Sequence, residues 1–151
     1  MAVKPAQSSV LFVCNLNAVR SPMAEALAKA LYGKTLHADS AGLEPSERDP
    51  FAISVLQEIG IDMTLDQPLD LEEVDVGSFD HVICLTSEAY ARVQEITRGQ
   101  AVNGELWATI DPFSSSAQGS REQRLTAYRT LREELRRMID LRFGGREKVA
   151  G

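Results

Sequence analysis

Stretches typical of β-strands alternate along this chain with stretches typical of helices, and this alternation restricts the fold more than any other feature. The strand-like runs lie at 8–14, 35–43, 79–86 and 104–110. Apolar residues at helical spacing follow at 21–33, 49–60, 87–96 and from Ser120 onward. Because strands that alternate with helices build βαβ units with parallel strands, the sequence predicts an α/β fold. We expect a doubly wound, four-stranded parallel sheet in the flavodoxin-like order 2-1-3-4, with helices on both faces.

The length and composition indicate a single domain over residues 1–151, with frayed tails at 1–7 and 144–151. No apolar stretch reaches the ~20 residues that cross a bilayer, so no membrane partner is expected. The N-terminus, MAVKPAQSS, lacks the apolar core of a secretory signal. The chain has two cysteines, Cys14 and Cys84, which make no disulfide framework. A cytoplasmic location is therefore expected.

The last helix carries many arginines but no predicted nucleic-acid site. Ser120 and Gln123 have the spacing of a capping box, which marks the start of this helix. Its expected core stripe consists of Leu125, Tyr128, Leu131, Leu135, Met138 and Ile139. Acidic residues are interspersed among the arginines of 121–146, a pattern typical of a solvated face. The net charge of −6 also argues against a nucleic-acid partner, because phosphate backbones require a basic surface.

The segment CNLNAVRS, residues 14–21, joins the first strand to the first helix. Backbone N–H groups of such a loop can surround an anion, and the helix N-terminus adds a favourable dipole. Arg20 supplies a planar fork that matches two oxygens of phosphate or a similar oxyanion. The same positive field stabilises a thiolate at Cys14, which makes Cys14 a candidate nucleophile toward phosphorus or arsenic.

Asp111 follows the fourth predicted strand, and the carboxyl ends of the strands in such a sheet share one edge. We therefore expect Cys14 and Asp111 at the same rim. Both residues also have plainer interpretations. A cysteine that ends a strand can be a small core residue, and an Asp-Pro pair can form a turn or cap the next helix. His37 and His81 have no ligand cluster around them, so neither a metal nor another cofactor is expected.

The run VLFVCNLNAVRSPMAEAL resembles the phosphate-binding loop of the low-molecular-weight protein tyrosine phosphatases, a superfamily that includes the thioredoxin-coupled arsenate reductases. The Cys-x5-Arg-Ser core matches at Cys14, Arg20 and Ser21, and the family's loop asparagine matches Asn17. The segments DSAGL, GID, FDHVICLT and WATIDPF follow in the family's order. The resemblance covers roughly residues 8–140.

The resemblance implies that Cys14 attacks a phosphoryl group and forms a phosphocysteine, while Asp111 acts as general acid. It implies an oxyanion cradle made of Asn15, Leu16, Asn17, Ala18, Val19, Arg20 and Ser21. Ser21 would assist the departure of the thiolate. Asn17 would hold the loop in its conformation through Ser40.

Departures from the family pattern bear on the substrate. The phosphatases carry glycine two residues after the nucleophile, where this chain has Leu16, so the backbone there must avoid glycine-like angles. Of the aromatic walls of a phosphotyrosine slot, Phe113 alone is evident. The disulfide relay of the arsenate reductases needs additional cysteines, and Cys84 is expected to be a core thiol.

Three functions stay open on the sequence. The main hypothesis is a cysteine-dependent phosphomonoesterase that acts on phosphotyrosine in a phosphorylated protein or on a small aryl phosphate. The alternative is an arsenate reductase that uses an external thiol or a glutaredoxin partner. The third is an oxyanion-binding regulatory module with little turnover.

Overall fold

The computed structural model describes residues 8–64 and 67–145. Four parallel strands form one sheet in the order β2-β1-β3-β4. The strands are β1 (Ser8–Cys14), β2 (Leu36–Gly42), β3 (His81–Cys84) and β4 (Gly104–Leu106). The helices are α1 (Arg20–Tyr32), α2 (Pro50–Gln57), α3 (Ser87–Ile96), α4 (Pro112–Ser116) and α5 (Arg121–Phe143). The predicted fold class and strand order are confirmed.

Helices cover both faces of the sheet because successive strand side chains point to opposite sides. Phe12 and Cys14 of β1 belong to a core that includes residues of α1, α2 and α5. Leu11 and Val13 belong to a second core, which includes residues of α3 and of two short 3-10 turns between α2 and β3. None of the helices in the described part of the chain is long and apolar enough to cross a membrane.

The register of β1 aligns the ends of three strands at one edge of the sheet. Cys14 pairs with Gly42, the last residue of β2, and Val13 pairs with Cys84, the last residue of β3. Since the strands are parallel, the loops that follow them lie on the same side. The segment between β1 and α1 therefore starts beside the end of β2.

Several predicted elements are longer than the observed ones. The strand predicted at 104–110 ends at Leu106, and the chain then follows β3 through the Trp107 N–H, which donates to the Cys84 carbonyl at 2.8 Å. The sequence did not predict α4, for which Asp111 is the N-cap. The strand predicted at 79–86 covers His81–Cys84, and the helix predicted at 49–60 ends at Gln57.

The start of α5 is confirmed by its capping box, in which Ser120 and Gln123 exchange side-chain to backbone hydrogen bonds. The predicted core stripe is buried except at Met138, which is half-buried and lines a shallow cleft with Trp107. Met138 faces this open cleft, beside the exposed Leu141, and not the closed core. Of the predicted tails, 1–7 and 146–151 lie outside the described residues, and Gly144 and Gly145 form a turn after α5.

Candidate active site

The loop between β1 and α1 has its carbonyl groups bound on one side and its N–H groups unpaired. Backbone N–H groups of the segment 43–49 donate at 2.8–3.2 Å to the carbonyls of Cys14, Asn15, Leu16 and Ala18. Among the described residues, no atom accepts a hydrogen bond from the N–H groups of 15–20. Because a trans peptide directs its N–H opposite its carbonyl, the loop presents a concave set of donors typical of an anion site.

Cys14 lies at the base of this loop, where its side chain is almost completely covered. The residue is 2% exposed, and its Sγ lies 2.9 Å from the Oγ of Ser21, in the first turn of α1. Ser21 is fully buried. A hydroxyl this close can donate a hydrogen bond to a thiolate and so stabilise the charged form of the sulfur.

Asn17 holds the loop through every hydrogen-bonding position of its side chain. Its backbone has a left-handed φ of 52°, a conformation that asparagine tolerates better than most residues. The side-chain amide donates to the hydroxyls of Ser21 at 2.7 Å and Ser40 at 2.9 Å. Its Oδ1 accepts from Arg48 and from the backbone N–H of Leu69, both at 3.0 Å. The sequence predicted the contact with Ser40, but neither Arg48 nor Leu69.

The network continues from Ser40 into α1. The Ser40 hydroxyl donates to Glu25 at 2.5 Å, and Lys29 donates to the same carboxylate at 2.6 Å. Glu25 is 4% exposed, so its carboxylate is buried, whereas the side chain of Lys29 is 39% exposed. Nothing in the sequence distinguished Glu25, because a glutamate inside a helix carries no local sign of burial.

Gly42 allows the loop to approach the end of β2. A Cβ atom at this position would lie 2.7 Å from the backbone nitrogen of Asn17 and 2.9 Å from the carbonyl carbon of Leu16. Leu16 itself is 49% exposed. Among the described residues other than glycine, Asn17 alone has a positive φ, so Leu16 avoids glycine-like angles as expected. Next in the loop, Ala18 is buried, and Val19 packs against the first core.

Arg20 and Asn15 are held by residues that follow the neighbouring strands β4 and β3. Arg20 donates from Nη1 to the carbonyl of Thr109 at 3.1 Å, and Asn15 accepts from the hydroxyl of Thr86 at 2.7 Å. These residues line a polar cleft of about 240 Å³ together with Glu88. The guanidinium is therefore held at the carboxyl edge of the sheet, beside the loop.

Asp111 lies on the same rim, two residues after the carbonyl that binds Arg20. Its carboxylate accepts from the backbone N–H of Phe113 and from the hydroxyl of Ser114, each at 3.0 Å. Asp111 is half-buried, and Phe113 is 51% exposed. The fold thus brings Cys14, Arg20 and Asp111 to one edge, although Asp111 also caps α4.

A second Asp-Pro-Phe triplet begins α2, at residues 49–51. Asp49 accepts from the Phe51 N–H and from the hydroxyl of Tyr128, each at 2.8 Å, and its own N–H donates to the Ala18 carbonyl. Burial and the Asp49 hydrogen bond raise the pKa of Tyr128, and the charge of Asp111 adds to the effect. The repeat is visible in the sequence, but only the fold brings both triplets to one site.

Cys84 cannot reach the sulfur of Cys14. The two side chains belong to the cores on opposite faces of the sheet, and Cys84 is 0% exposed. Burial raises the pKa of the Cys84 thiol to about 12, which keeps it neutral. In the ranges 8–64 and 67–145, no group of three or more His, Cys, Asp or Glu side chains is placed to hold a metal ion.

The family model of the low molecular weight phosphotyrosine protein phosphatases matches residues 9–140. The chain belongs to this family. The family is one of enzymes, and the loop at 14–21 fits the phosphate or oxyanion binding that it implies. The resemblance inferred from the sequence is thereby confirmed.

Two curated relatives from this superfamily are named as arsenate reductases. The chain is 32% identical to an arsenate reductase of Shouchella clausii over 127 residues, which covers 83% of this chain and 88% of the relative. It is 31% identical to a glutaredoxin arsenate reductase of Synechocystis over 131 residues, which covers 87% and 92% of the two chains.

Solved structures similar to this chain include reductases and a phosphatase. An arsenate reductase in the reduced state superposes with a TM-score of 0.74 at 28% identity, over 93% of this chain and all of the other. The YwlE arginine phosphatase, in a mutant with a phosphorylated active-site serine, has a TM-score of 0.70 at 26% identity. That likeness covers 87% of this chain and 90% of the phosphatase.

Proposed function

We propose that this protein is an arsenate reductase that uses Cys14 as nucleophile and an external thiol as reductant. The observation that carries the proposal is the placement of the two cysteines. Cys14 lies in the loop of unpaired N–H groups, whereas Cys84 is buried on the other face of the sheet. The names of the two relatives support arsenate as the substrate.

In the first step, the thiolate of Cys14 attacks As(V) while Arg20 and the loop N–H groups hold the arsenate oxygens. An S–As bond forms, and one oxygen leaves as water after protonation by Asp111. The Ser21 hydroxyl stabilises the thiolate before the attack. The Asn17 network keeps that hydroxyl and the loop in place.

In the second step, an external thiolate attacks the sulfur of Cys14. An S–S bond forms, the S–As bond breaks, and its electron pair stays on arsenic, which leaves as arsenite. A further thiol, free or on a glutaredoxin-type protein, then reduces the mixed disulfide and restores Cys14. An external thiol is required because the chain has no third cysteine and Cys84 is enclosed. The relative named as a glutaredoxin arsenate reductase supports this source of electrons.

The experiment measures arsenite produced from arsenate with glutathione and glutaredoxin. Wild type and Cys84→Ala are expected to turn over at similar rates, because Cys84 lies outside the site, and Cys14→Ser is expected to be inactive. Equal loss of activity in Cys14→Ser and Cys84→Ala would contradict the external-thiol route. No arsenite from the wild type with any added thiol would reject the proposed function.

Phosphomonoester hydrolysis is the second candidate. The position of Asp111 on the rim beside Arg20 supports it, because an ester leaving group needs a proton donor. The likeness to the YwlE arginine phosphatase supports it. The substrate would be phosphotyrosine in a protein or a small aryl phosphate, with Phe113 as the aromatic wall beside Asp111.

This second candidate is tested with p-nitrophenyl phosphate and a phosphotyrosine peptide near pH 6. Hydrolysis that disappears in Cys14→Ser and falls on the order of 100-fold in Asp111→Asn would support it. Arsenite production without such hydrolysis would reject the second candidate and leave arsenate reduction as the supported function.

A further inference from the structure

Arg124, in the first turn of α5, is held by the phenyl rings of the two Asp-Pro-Phe triplets. Its guanidinium carbon lies over the ring of Phe51 at 4.5 Å and over the ring of Phe113 at 5.6 Å from the centroids. Stacking uses the face of a guanidinium and leaves its in-plane N–H groups for hydrogen bonds. The two rings therefore orient Arg124 without using its donors.

The side-chain donors of Arg124 have no partner among the residues that the structure describes. Its Nε is buried without a hydrogen bond, and neither Nη1 nor Nη2 forms a hydrogen bond or an ion pair with a described residue. Asp49 and Asp111 are the carboxylates of the same two triplets, but neither pairs with it. The Tyr128 hydroxyl and the Phe51 N–H already donate to Asp49. The first turn of α4 already donates to Asp111. An unpaired, oriented guanidinium of this kind matches a ligand carboxylate.

The two triplets connect Arg124 to the loop between β1 and α1, called the oxyanion loop below. The backbone N–H of Asp49 donates to the Ala18 carbonyl of the loop at 3.1 Å. Thr109, whose carbonyl binds Arg20, lies two residues before Asp111. Arg124 therefore lies on the rim from which a second reactant approaches the sulfur of Cys14.

We propose that Arg124 binds a carboxylate of the external thiol and thereby positions that thiol for attack on Cys14. This inference rests on the proposed function, which requires such a thiol. A bidentate carboxylate needs two N–H groups in one plane, which arginine supplies and lysine does not. Since Nε is buried, these are the N–H groups of Nη1 and Nη2. The nearby carboxylates of Asp49 and Asp111 reduce the general attraction for anions, so recognition depends on this paired geometry.

The kinetic test compares glutathione with its diethyl ester, in which both carboxylates are masked, as reductants of arsenate. The quantity measured is the ratio of kcat/KM for glutathione to kcat/KM for the ester. We expect Arg124→Gln to lower this ratio about tenfold, the value of one charge-assisted hydrogen bond. Arg124→Lys should lower it nearly as far.

Arg136→Gln is the matched control, since Arg136 is exposed on the same helix, roughly 18 Å further along. We expect it to keep the wild-type ratio. The ratio also separates binding from stability, because a variant that merely folds less well loses activity with both thiols alike. An unchanged ratio in Arg124→Gln would overturn the proposal.

A binding measurement is independent of arsenate reduction. S-methylglutathione is titrated into the ¹⁵N-labelled protein, and the Nε–H resonance of Arg124 is followed by NMR. A shift with this compound and none with its diethyl ester supports the carboxylate site, whether or not arsenate is reduced. No shift at saturating concentrations overturns the site, even if the protein proves to be an arsenate reductase.

Discussion

The side-chain amide of Asn17 donates a hydrogen bond to the hydroxyl of Ser21 at 2.7 Å, and both residues are fully buried. Because the amide occupies an acceptor position of the hydroxyl, the Ser21 hydrogen is directed elsewhere. The two atoms within its reach are the sulfur of Cys14 at 2.9 Å and the carbonyl oxygen of Ala41 at 3.4 Å. One asparagine thus sets the shape of the loop and holds in place the hydroxyl that lies beside the nucleophile.

Asn17→Ala is therefore expected to lower turnover on the order of 100-fold, because the loop and the Ser21 hydroxyl lose their alignment. Stability should fall by about 1–3 kcal/mol, since the buried hydroxyls of Ser21 and Ser40 and the half-buried N–H of Leu69 lose a partner. Steady-state kinetics and urea unfolding measure the two effects. Asn103→Ala, at an exposed loop position, is the control. Full activity in Asn17→Ala would refute this role.

Gly42→Ala is expected to distort the oxyanion loop. The new methyl group would meet the backbone of Asn17 at 2.7 Å, so either β2 or the loop must move. We expect a loss of about 1–3 kcal/mol in the free energy of unfolding and weaker binding of phosphate. Urea unfolding and isothermal titration calorimetry with phosphate measure these changes.

Gly104→Ala is the matched control for this substitution. A Cβ atom at Gly104 would have its nearest contact at 3.6 Å, on the ring of Tyr90, which is ordinary packing. This variant should bind phosphate like the wild type. If both alanine variants behave alike, the close approach at Gly42 does not matter for the loop.

Cys84 should resist alkylation in the folded protein. Burial raises the pKa of its thiol to about 12, so the reactive thiolate is scarcely populated at pH 8. No part of the side chain is exposed, so iodoacetamide cannot contact the sulfur. Peptide mass spectrometry after a timed reaction should find Cys84 unmodified until the chain is unfolded in urea. Rapid labelling of Cys84 under native conditions would mean that it can serve as a resolving thiol after all.

Glu58 should make folding stability sensitive to acid. Hydrogen bonds from Arg129, and then from Arg132, lower the pKa of this carboxyl from 4.5 to about 2. Between these values the unfolded chain takes up the proton first, so the stabilisation is complete above pH 4.5 and is lost as the pH falls toward 2.

Thermal unfolding of wild type and Glu58→Gln across this pH range tests the linkage. The difference in Tm should be present at neutral pH and shrink as the pH falls from 4.5 toward 2. Glu47→Gln, at an exposed position without an ion pair to a described residue, should show no such trend. A Tm difference that is the same at pH 7 and at the acid end would count against the shifted pKa.

The order of the elements and the location of the loop followed from the sequence because both depend on neighbours along the chain. Apolar spacing separates strands from helices over a few residues, and Ser120 with Gln123 marks a helix start within one turn. The segment from Cys14 to Ser21 joins β1 to α1 directly, so its candidate nucleophile and arginine were evident. Element ends were less certain, as at Leu106, because pairing with β3 decides where β4 stops.

The residues that support the site could not be predicted, because they act through contacts between positions far apart in the chain. Arg48 donates a hydrogen bond to Asn17, and Glu25 accepts one from the hydroxyl of Ser40. Arg124 stacks on the phenyl rings of two separate triplets. No local pattern distinguishes these charged residues from the many solvated ones, because their contacts form only once β2, α1 and α5 have packed. The sequence by itself determined which atoms could react, and the tertiary structure decided what holds them and what lies beside them.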